Sequence, residues 1–420
     1  MIQSEKWQAS HLADIFLKRW NESWKNIDHK DLFDFLSAKI DQAITIEELK
    51  KILSSKKKLS IKMGIDPTGP DVHLGHLLPI MLLRQFQKAG HTINLIIGDF
   101  TAMIGDPSGR DTTRPALTGA DVKKNMATYL KQLQSYVAIN KAKVHHNASW
   151  LSAYTFEKIL KDLQQLSLTE ILQREDFRKR LDAGHGISMA ELLYSYAQGI
   201  DSAHIKPDIE VGGRDQLLNF AHARTIMKLY KQTPEVALTT PVLEGTAGDG
   251  RKMSKSYGNY IPLNASASEK FGKVMSIPDA LIASYFIAFA DIKASEISTL
   301  KTIIEKDPFE TKKQLGQFIV AMETGSLDAG IQERKAFEAT FSKKEFVDQK
   351  LTQYTATQHE TCLDVVQVLM SNVSKSEIKR LFANQAVRII EPHEQILAPS
   401  DIIPKNSVLK IGKKHFFKIQ

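Results

Sequence analysis

The stretch Leu59-Ser60-Ile61-Lys62-Met63-Gly64-Ile65-Asp66-Pro67-Thr68-Gly69-Pro70 decides the fold. Residues 59–65 alternate as a strand does, and Asp66-Pro67-Thr68-Gly69-Pro70 breaks that pattern. Leu77 to Ala89 then reads as a helix with Gly90 as its stop. His91-Thr92-Ile93-Asn94-Leu95-Ile96-Ile97-Gly98 is the next strand. Strand, helix and strand at this spacing form a βαβ unit, which implies a parallel sheet with helices on both faces.

Upstream of this unit, residues 1–58 read as helical. Trp7, Leu12, Ile15, Phe16 and Trp20 recur at helical spacing, as do Leu32, Phe33, Phe35, Leu36 and Ile40, and Lys56-Lys57-Lys58 follows as a solvated charge run. Downstream, a helix-rich stretch from Asp121 to Arg180 interrupts the alternation. Strand-like pattern resumes near Ile209-Glu210-Val211 and Pro234–Pro241. A second helical zone spans 266–341, and the polar stretch Ser342–Gln358 reads as a linker. From Thr361 the style changes to a short helix, another at Lys375–Ala383, and short strands punctuated by Pro392, Pro399, Pro404 and Gly412.

A chain of 420 residues is long enough for two or three domains, and 42% hydrophobic with 25% charged residues supports a sizeable core. The apolar run Ile93–Ile97 is only of strand length, so no membrane span is expected. The first residues, Met1-Ile2-Gln3-Ser4-Glu5-Lys6-Trp7, do not read as a secretory signal. A single cysteine, Cys362, allows no internal disulfide, and the expected compartment is the cytoplasm. The net charge of +8 suits a polyanionic partner without requiring one. Residues 375–420 carry nine Lys or Arg against four Asp or Glu, so much of the excess sits there.

Two motifs carry chemistry. His73-Leu74-Gly75-His76 opens the helix of the βαβ unit, where backbone N–H groups attract phosphate. Gly75 lets a planar base lie against the backbone, and two imidazoles could donate to a triphosphate. They could equally be ordinary helix-end residues, and no third ligand stands nearby for a metal. The second motif, Lys252-Met253-Ser254-Lys255-Ser256, lies among Gly245, Gly248, Gly250 and Gly258. Two ammonium groups on such a loop suit a polyphosphate whose charge grows as pyrophosphate leaves. A solvated Lys/Ser loop is the plainer reading.

Together the pair resembles the HIGH and KMSKS signatures of class I aminoacyl-tRNA synthetases, with HLGH as a conservative variant. Further segments resemble the bacterial tyrosyl-tRNA synthetase family: Gly64-Ile65-Asp66-Pro67-Thr68, Ile104-Gly105-Asp106-Pro107-Ser108-Gly109-Arg110 with Arg114, Tyr194-x-x-x-Gln198-x-x-Asp201, and Gly212-Gly213-Arg214-Asp215-Gln216. Ser374-Lys375-Ser376-Glu377-Ile378-Lys379-Arg380-Leu381, with Val387-Arg388-Ile389 and Gly412-Lys413-Lys414, resembles an S4 RNA-binding domain.

The resemblance implies an α/β fold with a Rossmann-like parallel-sheet catalytic core at 59–263 carrying a helical insertion. An N-terminal helical segment (1–58) precedes it; a helical anticodon-side domain (264–345) and a small α+β S4 domain (355–420) follow. It also implies attachment of tyrosine to tRNA(Tyr) through a tyrosyl-adenylate, ATP with Mg²⁺ as substrate, no prosthetic group, and a homodimer formed through the insertion. His73, His76, Lys252 and Lys255, with Arg110 and Arg114 on a mobile loop, match positions acting on the phosphates. Gly75, Gly212 and Asp215 match positions at the ATP site, and Asp66 and Thr68 match ATP-binding positions that line the tyrosine and ATP pocket. Thr101, Asp106, Tyr194, Gln198 and Gln216 match positions around the amino acid, and Asp201 matches the reader of the phenol hydroxyl. Lys375, Lys379, Arg380, Lys413 and Lys414 match a basic face for structured RNA.

Taken singly, several of these residues have plainer roles. Asp106 before Pro107 can be a turn former, Arg110 and Arg114 solvated loop charges, Asp201 a helix-surface residue, and the basic tail a solvated face. Three residues depart from the family pattern: Ile200 where tyrosine is common, Arg214 in place of Ser or Thr, and Lys62 where one branch has a phenol-contacting tyrosine. They leave open a paralogue activating a different or modified aromatic amino acid. A pure RNA-binding protein that has lost catalysis is the rival from another class; intact HLGH and KMSKS argue against it.

Overall fold

The alternating 59–65 segment becomes the second strand of a six-stranded sheet. In chain order its strands are β1 (Gln42–Ile44), β2 (Ser60–Ile65), β3 (Thr92–Ile97), β4 (Lys143–His146), β5 (Ile209–Gly213) and β6 (Val236–Thr240). The computed structural model describes residues 7–420 apart from 56–57, 68, 70–71, 106–117, 174, 342–351, 357–359, 372, 392–394 and 413–414. Spatial order is β1-β6-β5-β2-β3-β4, with β2 to β6 parallel and β1 antiparallel on β6. Helix Leu77–Lys88 links β2 to β3 and buries Leu77, Leu78, Met81, Leu82 and Phe86. The chain steps from β2 through β3 to β4 on one side and from β5 to β6 on the other. The carboxyl ends of β2 and β5 therefore flank a crevice, the place where open α/β sheets bind ligands.

Two strands depart from the expected pattern. β4 falls inside the stretch expected to be helix-rich, because Lys143-Val144-His145-His146 has only one apolar residue to signal an edge strand. β1, three residues long, lies within the expected N-terminal helical segment. The helices there are Leu12–Asn21, His29–Ser37 and Ile46–Ser54; the last begins with a reciprocal Thr45–Glu48 cap.

These helices share one core with the sheet and with residues 267–322. Phe16 meets Phe286 and Phe318 at ring separations of 5.4 and 6.1 Å. Arg19 holds Glu296 through two hydrogen bonds of 2.7 and 2.8 Å. Asp291, buried, binds Lys88 (2.7 Å) and Arg84 (3.2 Å) on the helix that begins after His76.

By compactness the chain divides into Met1–Arg334 and Lys335–Gln420. The second unit has its own sheet of β7 (Thr352–Tyr354), β8 (Val387–Glu391), β9 (Gln395–Ile396), β10 (Val408–Ile411) and β11 (His415–Ile419), in the order β7-β11-β10-β8-β9. Helices Cys362–Leu369 and Lys375–Ala383 supply Val365, Val366 and Ile378 to a core completed by Val387, Ile389, Leu409, Ile411 and Ile419. β7 corrects the linker expectation, since Thr352–Tyr354 pair in parallel with β11. Cys362 is buried, and burial, reinforced by Asp401, pushes its thiol up to about 12, so it is inert. Among the described residues no single helix is long and apolar enough to cross a membrane.

Candidate active site

A cavity of about 520 Å³ opens between the carboxyl ends of β2 and β5. The HLGH segment forms part of its wall. Leu74 donates its N–H to the carbonyl of Ile261 (3.0 Å), and Leu263 donates to Val72 (2.9 Å), so residues 72–74 are paired with the chain that follows the KMSKS loop. His73 is extended and the chain then tightens into a turn that feeds helix Leu77–Lys88. The His73 and His76 rings stack, with centroids 3.7 Å apart. Nδ1 of His76 accepts the backbone N–H of His73 (3.2 Å), which places the proton of a neutral His76 on Nε2. Burial, with His76 and Lys255 close by, pushes the pKa of His73 down to about 3, so it is a neutral hydrogen-bonding group at pH 7. Among the described residues no three His, Cys, Asp or Glu side chains gather as a metal site.

The KMSKS loop is held in shape by Asn259. Its side-chain oxygen accepts from the Ser254 N–H (2.8 Å) and its amide donates to the carbonyl of Lys252 (3.2 Å). Met253 is buried, donates its N–H to Leu243 (2.7 Å), and accepts the Gly75 N–H on its sulfur at 3.3 Å. The two motifs, 178 residues apart, thus touch. A Cβ on Gly75 would lie 3.1 Å from the His73 ring and 3.4 Å from Met253, which leaves little room there for any side chain. Lys252 is exposed and lines the cavity, while Lys255 is half-buried and near His73.

At the far end, Asp66 accepts hydrogen bonds from the hydroxyls of Thr101 and Tyr194, both at 2.8 Å. The resemblance puts Asp66 at the tyrosine and ATP pocket, and its carboxylate lies among the residues matched to the amino acid. Gly98 makes this possible, because a Cβ there would land on the Asp66 carboxylate and the Thr101 hydroxyl. Asp201 is buried and accepts from Trp150 Nε1 (2.8 Å) and Asn147 Nδ2 (3.1 Å). Burial pushes Asp201 up to about 6, against the pull of Lys62, Trp150 and Asn147, so it is an acceptor at pH 7. The helix-surface reading of Asp201 is thereby corrected. Asn147 also donates to Thr101 (3.0 Å), joining both carboxylates through one chain of hydrogen bonds.

Gly212, Asp215 and Gln216 line the opposite wall, at the end of β5 and in the turn that follows it. The site expected for a Gly212 side chain is filled by Phe220, 2.6 Å from an added Cβ, so protein packing alone demands glycine here. Neither Ile200 nor Arg214 lines the cavity: Ile200 is fully buried among Ile96, Trp150 and Ile226, and Arg214 is exposed with its guanidinium 3.5 Å from Asp41. Lys62 does line it, buried and 2.7 Å from Glu210. Lys375, Lys379 and Arg380 are exposed on one helix of the second unit. Thr68, Asp106, Arg110, Arg114, Lys413 and Lys414 lie outside the described residues.

Sequence reasoning missed Gly98, Asn147, Trp150, Glu210 and Asn259. Only Gly98, ending an apolar strand run, and Glu210, a charge between apolar strand residues, left a signal.

The model of the family described as tRNA synthetases class I (W and Y) matches residues 54–342. The tyrosine–tRNA ligase of Thermotoga maritima is 38% identical over 392 residues, covering 91% of this chain and 96% of the relative. That of Aquifex aeolicus is 37% identical over 380 residues, covering 90% and 95%. Among solved structures, a C-terminally truncated mitochondrial tyrosyl-tRNA synthetase from Aspergillus nidulans shares the fold with a TM-score of 0.62 at 22% identity, over 78% of this chain and 99% of that one. With its two signature motifs in contact at the sheet's switch point, the chain belongs to the class I tRNA synthetases of the W and Y family.

Proposed function

We propose that this chain attaches tyrosine to tRNA(Tyr). Tyrosine carboxylate attacks the α-phosphorus of ATP, the bond to the β-phosphate oxygen breaks, and pyrophosphate leaves. The 3′-terminal ribose hydroxyl of tRNA then attacks the tyrosyl carbonyl, and AMP leaves. No protein nucleophile is required, so catalysis is positioning and stabilisation of charge on the transferring phosphoryl group. The convergence of HLGH, KMSKS and the Asp66–Tyr194–Asp201 set on one cavity supports this most strongly.

In this reading His76, through Nε2–H, and neutral His73 donate to the ATP phosphates, while Lys252 and Lys255 hold the departing pyrophosphate. Mg²⁺ arrives with ATP as part of the substrate. Gly75, Gly212, Asp215 and Thr68 border the nucleotide; Arg110 and Arg114 act near pyrophosphate. Thr101, Asp106, Tyr194, Gln198 and Gln216 surround the amino group and carboxylate of tyrosine, with Asp66 beside them. The second unit is an S4 domain that grips tRNA through Lys375, Lys379, Arg380, Lys413 and Lys414. The protein works in the cytoplasm as a homodimer built on the helical insertion. Phe156 and Leu168, 73% and 55% exposed, support an interface there.

The phenol-reading role of Asp201 is tested by Asp201→Ala, scored as the ratio of kcat/KM for tyrosine over phenylalanine in ATP–pyrophosphate exchange. A buried hydroxyl without its acceptor costs roughly 1–3 kcal/mol, so the ratio should shrink about 5- to 150-fold. The variant also orphans Trp150 Nε1 and Asn147 Nδ2, but a ratio is insensitive to the fraction folded. An unchanged ratio would remove Asp201 from side-chain selection.

A further inference from the structure

Beside the amino-acid end of the cavity lie buried ionisable groups that the mechanism above leaves unused: Lys62, Glu210 and Glu235, each with no exposed surface. Lys62 and Glu210 are lateral neighbours on β2 and β5. The Lys62 Nζ is 2.7 Å from Glu210 Oε1, donates to Ser202 Oγ at 2.5 Å, and reaches the Gln198 carbonyl at 3.5 Å. An ammonium has three protons, so these partners use it fully and it has none left for a substrate. Ser202 in turn donates to Glu235 (2.9 Å). Burial pushes Glu210 up, but the charge of Lys62 together with hydrogen bonds from Glu235, Lys62 and Gln198 outweighs it and keeps Glu210 ionised. Burial and the charge of Glu210 hold Glu235 neutral. The cluster thus contains one anion and one cation.

Besides Lys62, Glu210 meets Glu235, Gln198 and Ser202, whose Oγ lies 3.4 Å from Oε2. Glu210 Oε1 accepts from Gln198 Nε2 at 3.1 Å. Gln198 lines the cavity, is more than nine-tenths buried, and its side-chain oxygen has no hydrogen-bond partner among the described residues. The two ends of an amide are distinguished only by what they bond. An ionised carboxylate accepts and never donates, so the reverse orientation would set two acceptors 3.1 Å apart. Glu210 therefore forces the amide nitrogen toward itself and leaves the oxygen as the end available to a cation.

We infer that Glu210, clamped by Lys62, is a positioning residue that orients the Gln198 amide so that its oxygen receives the α-ammonium of the amino-acid substrate. This rests on the reading of Gln198 as an amino-group contact. Without the carboxylate the amide turns freely and presents N–H to a cation for part of the time. The loss is confined to ligands that carry the ammonium.

The test is Glu210→Leu in the full-length enzyme, with inhibition constants in ATP–pyrophosphate exchange for two tyrosine analogues. Tyramine keeps the ammonium and lacks the carboxylate; 3-(4-hydroxyphenyl)propionate keeps the carboxylate and lacks the ammonium. The KM for tyrosine and the inhibition constant of tyramine should rise at least tenfold, while that of the des-amino analogue and the KM for ATP stay within threefold. Glu210→Gln, which retains an acceptor for Gln198 Nε2, should restore tyrosine and tyramine to within threefold of the original enzyme. If Glu210→Leu does not fold, Lys62→Met combined with Glu210→Leu removes the ion pair as a unit, an exchange that buried pairs tolerate well. An equal loss for both analogues, or no recovery in Glu210→Gln, overturns the inference. Gln198→Ala separates the two layers: if it spares tyramine, the underlying reading of Gln198 is what fails.

Discussion

Alanine in place of Lys255 should slow tyrosyl-adenylate formation roughly 30- to 1,000-fold, the equivalent of about 2–4 kcal/mol for a lost charge-stabilising donor. Tyrosine affinity should move by less than about twofold, because the proposed amino-acid subsite is at the other end of the cavity, beside Asp66 and Asp201. The asymmetry follows from when charge appears. Pyrophosphate gains negative charge as the bond to the α-phosphate breaks, so a lysine on this loop does more for the transition state than for bound ATP. Lys255 sits on a loop whose shape is set by Asn259 and by the seat of Met253 on Gly75, so losing its side chain leaves the loop standing. Stopped-flow fluorescence of the adenylation step measures the effect. An unchanged rate constant would detach this loop from the chemistry.

The second large effect concerns residues 342–420. Their removal should abolish tRNA charging, or weaken it at least a hundredfold, while ATP–pyrophosphate exchange stays near its full rate. Every described residue lining the cavity precedes residue 255, and the second unit has a separate apolar core. What is lost is a surface with Lys375, Lys379 and Arg380 exposed, which in the proposed role would bind RNA phosphates through counterion release. Residual binding by the shortened chain should depend less steeply on salt than that of the whole protein. Charging at the full rate would contradict the tRNA-gripping role of this unit.

Much of this was legible from pattern. The βαβ unit around residues 59–98 announced itself through strand alternation, a helix stop at Gly90 and a second apolar run, and all three are present. The edge strands β1 and β4 were not legible, because a strand held by one neighbour needs few apolar residues. At the site, HLGH and KMSKS could be read singly, but their contact through Gly75 and Met253 is a product of folding. Trp150 and Asn147, partners of Asp201, come from a segment about fifty residues upstream with no motif of its own. Lys62 read as a departure from the family pattern. It is half of a pair whose other half, Glu210, lies 148 residues away and only becomes a neighbour when β2 and β5 align. Arg214 and Ile200, the other departures, turn away from the cavity, one to solvent and one into the core.

Whether one cavity joins ATP chemistry to selection of a phenolic side chain is decided by aminoacylation with the purified chain and bacterial tRNA(Tyr), presenting each of the twenty amino acids in turn. Tyrosine should be charged with the highest kcat/KM and phenylalanine far less well. A different amino acid charged best, or no amino acid charged while tRNA is still bound, would contradict the proposed function.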